Sequence, residues 1–258
     1  MWPETHQIGP WAFTLYDLMR VTAIAASLTI CLLLNRRQGI SPRQTLLIAV
    51  LSVPLSVGAA RLLNAAEYGA TWANWNTEFL GNPGSSIYGA LFACIGAVIA
   101  LTHLLRISTL RFLDAGAPAM AVGEGVSRIG CFSAGCCYGK PWNGPWAVVF
   151  PSNSFAAIDQ HYRGMLEGGS SHSLPVHPVQ LYGVILMALL TWGLLWRFRR
   201  PHADGTIFCF FLIAYGVYRL AITPFRTEVL TSMEAFSAIF ITVGIVGLLW
   251  LNRTSPAS

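Results

Sequence analysis

Charged residues are scarce in this chain. Asp, Glu, Lys and Arg make up 10% of its 258 residues, whereas 54% are hydrophobic; a soluble domain usually carries about 25% charged residues. Most of the molecular surface must therefore face something other than water, which excludes an ordinary soluble globular protein. Lys and Arg are also missing from residues 1–19, so the first apolar stretch lacks the positive n-region of a signal peptide.

Long apolar stretches accompany this shortage of charge. Seven of them approach the roughly 17–25 residues needed to cross about 30 Å of hydrocarbon. They are, in order, residues 11–34, 45–64, 86–105, 112–127, 178–197, 205–223 and 234–251. The sequence predicts an all-α integral membrane protein with about seven transmembrane helices, in a single polytopic membrane domain over residues 1–258. The fourth stretch is the weakest, because small and polar residues interrupt it.

Basic residues are concentrated on one side of the predicted spans. Nine of the sixteen lie at the connections after the first, third, fifth and seventh stretches: Arg36, Arg37, Arg43, Arg106, Arg111, Arg197, Arg199, Arg200 and Arg253. By the positive-inside rule these connections face the cytoplasm, which predicts an extracytoplasmic N-terminus and a cytoplasmic C-terminus. The net charge of +5 follows from this topology and does not indicate nucleic-acid binding. The longest connection, about 128–177, is then extracytoplasmic, and its apolar residues predict a small ordered cap.

Arginines recur inside or at the ends of the predicted spans. The predicted topology places four of them in the outer half of the membrane: Arg20, Arg128, Arg219 and Arg226. An ionisable group at membrane depth costs roughly 2.5–3.5 kcal/mol on insertion scales. A guanidinium stays charged and its planar fork binds phosphate, so the cluster predicts a site for an anionic phospholipid. Internal ion pairs, Asp17 with Arg20 and Glu124 with Arg128, are the alternative explanation.

Two motifs at the edges of these spans carry further polar residues and glycines. SRIGCFSAGCCYG, residues 127–139, places Gly130 and Gly139 close to Arg128, and glycines allow the backbone to approach a ligand closely. VHPVQLYG, residues 176–183, puts His177 and Gln180 at the start of a span. We expect both motifs to bind substrate at the level of the lipid headgroups.

Three cysteines, Cys131, Cys136 and Cys137, belong to the same outer region. In an oxidising compartment they are candidates for a structural disulfide or for a reactive thiol beside Arg128, and the sequence leaves both open. The nearby histidines match no zinc-ligand spacing, and no nucleotide-binding loop is present. The sequence therefore predicts neither a metal nor a cofactor.

Together these motifs resemble the prolipoprotein diacylglyceryl transferase family over nearly the whole chain. IGPWAFTLYDLMR (8–20) resembles the family's first-helix entry, with Tyr16 at a functionally important tyrosine. SRIGCFSAGCCYG resembles Gly-Arg-x-Gly-Asn-Phe-x-Asn-Gly-Glu-x-x-Gly, and VHPVQLYG resembles His-Pro-x-Gln-Leu-Tyr-Glu. AYGVYRLAITPFR (214–226) resembles Tyr-Gly-x-x-Arg-x-x-x-Glu-x-x-Arg, with Arg219 and Arg226 in register.

The resemblance implies transfer of a diacylglyceryl group from phosphatidylglycerol to the lipobox cysteine of a prolipoprotein, with release of glycerol phosphate, in the bacterial inner membrane. It implies that Arg128 and Arg219 stabilise the phosphate, and that Tyr16 and Tyr88 orient groups or relay a proton. The residues expected to bind substrate are Arg20, Gly130, Gly139, His177, Gln180 and Arg226. The expected partners are phosphatidylglycerol or another anionic phospholipid, the prolipoprotein signal segment and membrane lipids.

The chain departs from the family pattern at residues suited to proton transfer. Tyr88 replaces the family's His in the third helix, and Cys136 replaces the Glu of the signature motif. Gly183 and Thr223 stand where the family has two further Glu residues. Two other functions therefore stay open: a lipid-binding or scaffolding membrane protein without catalysis, and a thiol-dependent lipid transferase that uses Cys136 or Cys137.

Overall fold

The computed structural model describes residues 6–8, 11–67, 87–166, 171–227 and 231–254. Eight α-helices form most of this part of the chain. They are α1 (Leu15–Arg37), α2 (Pro42–Glu67), α3 (Ile87–Leu104), α4 (Thr109–Ala134), α5 (Phe155–Tyr162), α6 (Val179–Phe198), α7 (Thr206–Ile222) and α8 (Thr231–Thr254), with a 3-10 turn at Thr223–Phe225. An antiparallel hairpin of β1 (His6–Ile8) and β2 (Trp11–Phe13) precedes α1.

Five of the described helices are long and apolar enough to cross a membrane. These spans are Leu15–Arg37, Pro42–Leu62, Val179–Phe198, Thr206–Phe225 and Glu234–Thr254, and they correspond to the first, second, fifth, sixth and seventh predicted stretches. The helical, multi-pass membrane character is thus confirmed. The third and fourth stretches form helices α3 and α4, which are not among these five spans, so the total of seven stays a prediction.

The start of the first predicted span is wrong by several residues. Trp11–Phe13 form β2, and a reciprocal cap begins α1 after Thr14. The Thr14 N–H donates to Asp17 Oδ2 at 3.0 Å, while the Asp17 N–H donates back to Thr14 Oγ1 at 3.3 Å. This is a capping box with Asp at its third helical position. Hydropathy alone did not reveal the cap, because the residues before it are as apolar as those after it.

The helices group into two compact units, one of Met1–Ile30 with Asp114–Ser258 and one of Cys31–Leu113. In the second unit, buried Ile40, Ile48 and Phe112 form a small core. Ser41 and Gln44 cap the start of α2 reciprocally, since the Ser41 N–H donates to Gln44 Oε1 at 3.1 Å and the Gln44 N–H donates to Ser41 Oγ at 3.2 Å.

Small residues allow the helices of the first unit to approach each other closely. A Cβ on Gly123 of α4 would lie 2.3 Å from Ser27 Oγ of α1, and a Cβ on Gly216 of α7 would lie 2.7 Å from the Ser237 carbonyl oxygen of α8. Helices in lipid associate through this kind of close packing, because burial of apolar surface drives association only weakly there.

The segment between α4 and α6 packs around a core of its own. Tyr138, Phe150, Ala156 and Val176 are buried together. Val148 and Val176 exchange backbone hydrogen bonds at 3.0 Å in each direction. The expected ordered structure is present among the described residues of this segment, while its location outside the membrane as a cap stays a prediction.

Candidate active site

Arg128 lies near the C-terminal end of α4 and is largely buried. Its Nε donates to Glu124 Oε1 at 3.0 Å, and its Nη2 bonds the same oxygen. The Arg128 side chain is 13% exposed and that of Glu124 26%. The pairing considered as an alternative from the sequence is therefore present. A guanidinium has five N–H donors, and this pair uses only two of them, so the ion pair and phosphate binding are compatible.

Gly183 makes room for the Arg128 side chain on α6. A Cβ at Gly183 would lie 3.3 Å from Arg128 Cγ and 2.9 Å from Tyr218 Oη. Any side chain here would have to displace one of these two neighbours. The glycine that replaces a family Glu therefore belongs to the arginine site, where it provides space.

Three of the predicted arginines act electrostatically on one hydroxyl. Tyr218 of α7 is 5% exposed and interacts electrostatically with Arg128, Arg219 and Arg226. Glu124 acts on the same hydroxyl with the opposite sign, so the four side chains together leave an excess of positive charge, which an anion such as phosphate neutralises. Tyr218 was not identified from the sequence, although it directly precedes Arg219 in the late motif.

The chain turns sharply where α4 ends. Gly135 has φ +69°, its N–H donates to the Phe132 carbonyl at 3.2 Å, and the Cys136 N–H donates to the Cys131 carbonyl at 3.1 Å. These two bonds define a Schellman motif, which needs a left-handed residue such as Gly at this point. The turn brings Cys136 back to Cys131.

The three cysteines of this motif come together at the turn. The Sγ atoms of Cys131, Cys136 and Cys137 all lie within 4.8 Å of one another, and Cys137 has φ +56°, which is uncommon for a residue other than Gly. Hydrogen bonds from Cys131 and Cys136, aided by the charges of Arg128 and Arg226, lower the pKa of Cys137. Hydrogen bonding to its two neighbours raises the pKa of Cys136.

Tyr16 of α1 lies beside the thiol cluster and interacts electrostatically with all three cysteines. A Cβ on Gly130 would lie 3.0 Å from Met19 Cβ and 3.4 Å from Tyr16 Cδ2, so Gly130 brings α4 close to α1. The Arg20 guanidinium lies 5.7 Å from the centroid of the Tyr16 ring. Asp17 and Arg20, both described, form no ion pair, because the Asp17 carboxylate accepts its bonds from Thr14.

Gly139 joins three parts of the site. Its N–H donates to the His177 carbonyl at 3.1 Å, and its backbone pairs with that of Arg226 as an isolated bridge. A Cβ on Gly139 would lie 2.6 Å from His177 Cβ and 2.7 Å from the Phe225 carbonyl oxygen. The glycine thus allows backbone from the ends of α4 and α7 and from the start of α6 to meet.

Gln180 is fully buried at the start of α6. Its Nε2 donates to the Cys136 carbonyl at 2.8 Å, whereas its Oε1 has no hydrogen-bond partner within the described part of the chain. A buried acceptor without a donor costs about 1–3 kcal/mol. A ligand N–H or O–H would remove that cost.

An apolar cavity of about 710 Å³ adjoins this site. It is lined by Trp142, Trp146, His177, Tyr182, Leu186, Ala221, Ile222 and Phe225. His177 stacks on Trp142 with ring centroids 4.3 Å apart, and its Nδ1 lies 3.2 Å from Tyr182 Oη. Partial burial lowers the pKa of His177, which favours the neutral ring. These apolar walls suit a hydrocarbon chain. His177 gives the cavity one polar edge, which suits the end of the chain next to a lipid headgroup.

The predicted residues divide clearly by position. Those that lie together in the first unit are Tyr16, Arg20, Arg128, Gly130, Gly139, His177, Gln180, Arg219 and Arg226. Tyr88 lies in the first turn of α3, in the other unit, and its side chain is outside the described residues. Its catalytic role stays a prediction, as do the roles of the others.

Comparison with known proteins gives a consistent family assignment. Residues 3–250 match the family model described as prolipoprotein diacylglyceryl transferase. Three similar proteins are each named phosphatidylglycerol–prolipoprotein diacylglyceryl transferase. The one from Clostridium tetani is 34% identical over 64% of this chain and 63% of its own length. Those from Synechococcus elongatus and Synechocystis sp. are 28% and 27% identical over 98% and 96% of this chain and 90% and 89% of their own lengths.

Proposed function

The chain belongs to the prolipoprotein diacylglyceryl transferase family, and we propose that it transfers a diacylglyceryl group from phosphatidylglycerol to the lipobox cysteine thiol of a prolipoprotein. The observation that carries this proposal is that the charges of Arg128, Arg219 and Arg226 all act on the buried Tyr218 hydroxyl, next to an apolar cavity. A charged head and a hydrocarbon tail are the two parts of a phospholipid, and the two features bind them side by side.

The reaction is a displacement at a glycerol carbon. The acceptor sulfur forms a C–S bond while the C–O bond to the phosphate breaks, and glycerol phosphate leaves with the electron pair. Negative charge grows on the departing oxygen, and Arg128 and Arg219 stabilise it electrostatically. Arg226, which is joined to the signature motif through Gly139, holds the donor lipid.

The remaining predicted residues position the substrates. Tyr16 lies beside the thiol cluster and orients the acceptor thiol or relays its proton, a role we also assign to Tyr88. The unpartnered Gln180 Oε1 accepts a hydrogen bond from a substrate hydroxyl. His177 forms the polar edge of the apolar cavity. Arg20, Gly130 and Gly139 shape the entrance to the substrate site.

The topology we propose follows the positive-inside rule. Seven spans form a single membrane domain, with the N-terminus extracytoplasmic and the C-terminus in the cytoplasm. Residues 128–177 then form the outer cap. The donor is phosphatidylglycerol or another anionic phospholipid, and the signal segment of the prolipoprotein enters from the surrounding lipid.

The test uses full-length protein in detergent with phosphatidylglycerol and a lipobox peptide. We expect release of glycerol phosphate that depends on the peptide thiol, and no release with a matched peptide carrying Ser in place of Cys. Absence of glycerol phosphate at every pH between 6 and 9 (roughly the range in which a thiol becomes ionised) would contradict the proposal.

Two other functions have support of their own. Loss of the family His and Glu residues at Tyr88, Gly183 and Thr223 favours a lipid-binding protein, for which phosphatidylglycerol would bind without release of glycerol phosphate. The clustered thiols favour a transferase with its own nucleophile. A Cys136→Ser, Cys137→Ser double variant separates the latter case, since a lipid-modified enzyme intermediate would then disappear.

A further inference from the structure

The three sulfurs of the thiol cluster lie close enough together to bind one metal ion. A Zn–S bond is about 2.3 Å long, so two thiolates on one zinc ion lie roughly 3.8 Å apart. The Sγ atoms of Cys131, Cys136 and Cys137 lie within 4.8 Å of one another, so contraction by roughly 1 Å at most closes the set.

We propose that Cys131, Cys136 and Cys137 form a three-thiolate site for Zn²⁺ or a similar thiophilic divalent ion, with the fourth position open to an external thiolate. The role of that thiolate as the acceptor rests on the proposed transferase function. Three protein ligands and one open position are the arrangement of catalytic rather than structural zinc sites. The site replaces the prediction from sequence that no metal is bound, which considered the spacing of the histidines and not the turn at Gly135.

The surroundings of the cluster are ordered and suit its charge. Three thiolates with Zn²⁺ carry one net negative charge, which the neighbouring Arg128 and Arg226 stabilise. The Schellman turn fixes Cys136 against Cys131, and Gln180 Nε2 holds the Cys136 carbonyl at 2.8 Å. Among the described residues, the buried Gln180 Oε1 has no hydrogen-bond partner, and this acceptor belongs to the side chain that holds the Cys136 carbonyl. The rare left-handed backbone of Cys137 is typical of a residue held in place for function.

The site supplies what the chain lost at Tyr88 and Gly183. Coordination deprotonates a thiol outright, so the acceptor releases its S–H proton to water on binding and needs no imidazole or carboxylate base. Its sulfur then forms the C–S bond as the C–O bond breaks, and the electron pair leaves on the glycerol phosphate oxygen beside Arg128. Three protein thiolates remain on the ion, and no oxidant or reductant is consumed.

Metal binding is measured first, without any substrate. Full-length protein in detergent and a phosphine reductant is incubated with Zn²⁺ alone, and separately with Co²⁺ as a coloured substitute. We expect one equivalent per chain and a strong thiolate-to-cobalt absorption band. Cys136→Ser should weaken binding on the order of 100-fold, whereas Cys94→Ser, which changes an exposed cysteine of α3, should leave it unchanged.

The outcomes separate this inference from the proposed function. Stoichiometric metal that Cys136→Ser abolishes, together with no glycerol phosphate release, supports the site and overturns the transferase. Release at an unchanged rate by metal-free protein overturns the role of the ion in activating the acceptor thiol and leaves the transferase standing. Equal zinc binding by the wild type and Cys136→Ser also overturns the site, as does a disulfide between two of the three cysteines that forms in preference to metal binding.

Discussion

The two ends of α4 each bury an ionisable side chain, but they satisfy it differently. Asp114, fully buried, accepts hydrogen bonds from the Gly205 N–H at 2.7 Å and the Phe208 N–H at 2.8 Å. It therefore caps α7, which begins at Thr206. Arg128, about 21 Å further along the helix, pairs with Glu124 and keeps donors to spare. A buried ionisable group whose hydrogen bonds all stay within the protein indicates a structural role. One with N–H donors left over from its ion pair indicates a ligand-binding role.

The largest expected effect comes from removing the charge of Arg128. Arg128→Gln should lower turnover with phosphatidylglycerol and a lipobox peptide roughly 100- to 1000-fold, the cost of losing one donor to a developing anion. The matched control is Arg163→Gln, an arginine that bonds Asp159 at 2.9 Å on the surface and should keep full activity. Similar activity in both variants would remove Arg128 from the reaction.

Substitution of Asp114, at the other end of α4, should lower stability instead of turnover. Asp114→Ala leaves two N–H groups at the start of α7 without their acceptor, which costs about 1–3 kcal/mol for each buried group that stays unsatisfied. We expect a lower Tm in detergent but unchanged turnover at temperatures where the variant is folded. Asp114→Asn keeps one acceptor oxygen, so its Tm should lie between those of the wild type and Asp114→Ala. A selective loss of turnover without a change in Tm would contradict the structural assignment.

Gly183 and Gly193 provide a matched pair on α6. Gly183→Ala would place its Cβ 2.9 Å from Tyr218 Oη and 3.3 Å from Arg128 Cγ, so we expect about a tenfold loss of turnover from displaced groups at the site. Gly193 has nothing within 4 Å of an added Cβ. Gly193→Ala should keep activity and gain up to about 1 kcal/mol of helix stability. Equal activities would mean that Gly183 provides no needed space.

The smallest effect is expected for the surface pair of Asp159 and Arg163, which is not part of α4. A hydrogen bond from Tyr138, with a further one from Arg163, lowers the pKa of Asp159. Its ionised form therefore stabilises the folded state above the unfolded pKa, and this contribution is lost as the pH falls through the lower folded pKa. Asp159→Asn should cost only a few tenths of a kcal/mol at neutral pH, a difference that should vanish in acid. A difference that grows in acid would contradict this sign.

Sequence patterns predicted the apolar helices well, because a span needs only length and hydropathy. They also singled out Arg128, Arg219 and Arg226 as candidate site residues, because these arginines are anomalous in apolar surroundings. Asp114 was equally anomalous, yet it was missed because it lies in the weakest predicted span. The clustering of Cys131 with Cys136 depends on a left-handed turn at Gly135, which composition and hydropathy do not encode. Tyr218 required the packing of three helices to become apparent.

The most direct measurement is equilibrium binding of phosphatidylglycerol to three proteins: the wild type, Arg128→Gln and Asp114→Asn. Each is measured in neutral detergent at a temperature where all three are folded. We expect Arg128→Gln to lose on the order of tenfold or more in affinity, the loss of about one charge-assisted bond, while Asp114→Asn binds like the wild type. Equal affinities in all three, or a greater loss in Asp114→Asn, would contradict it.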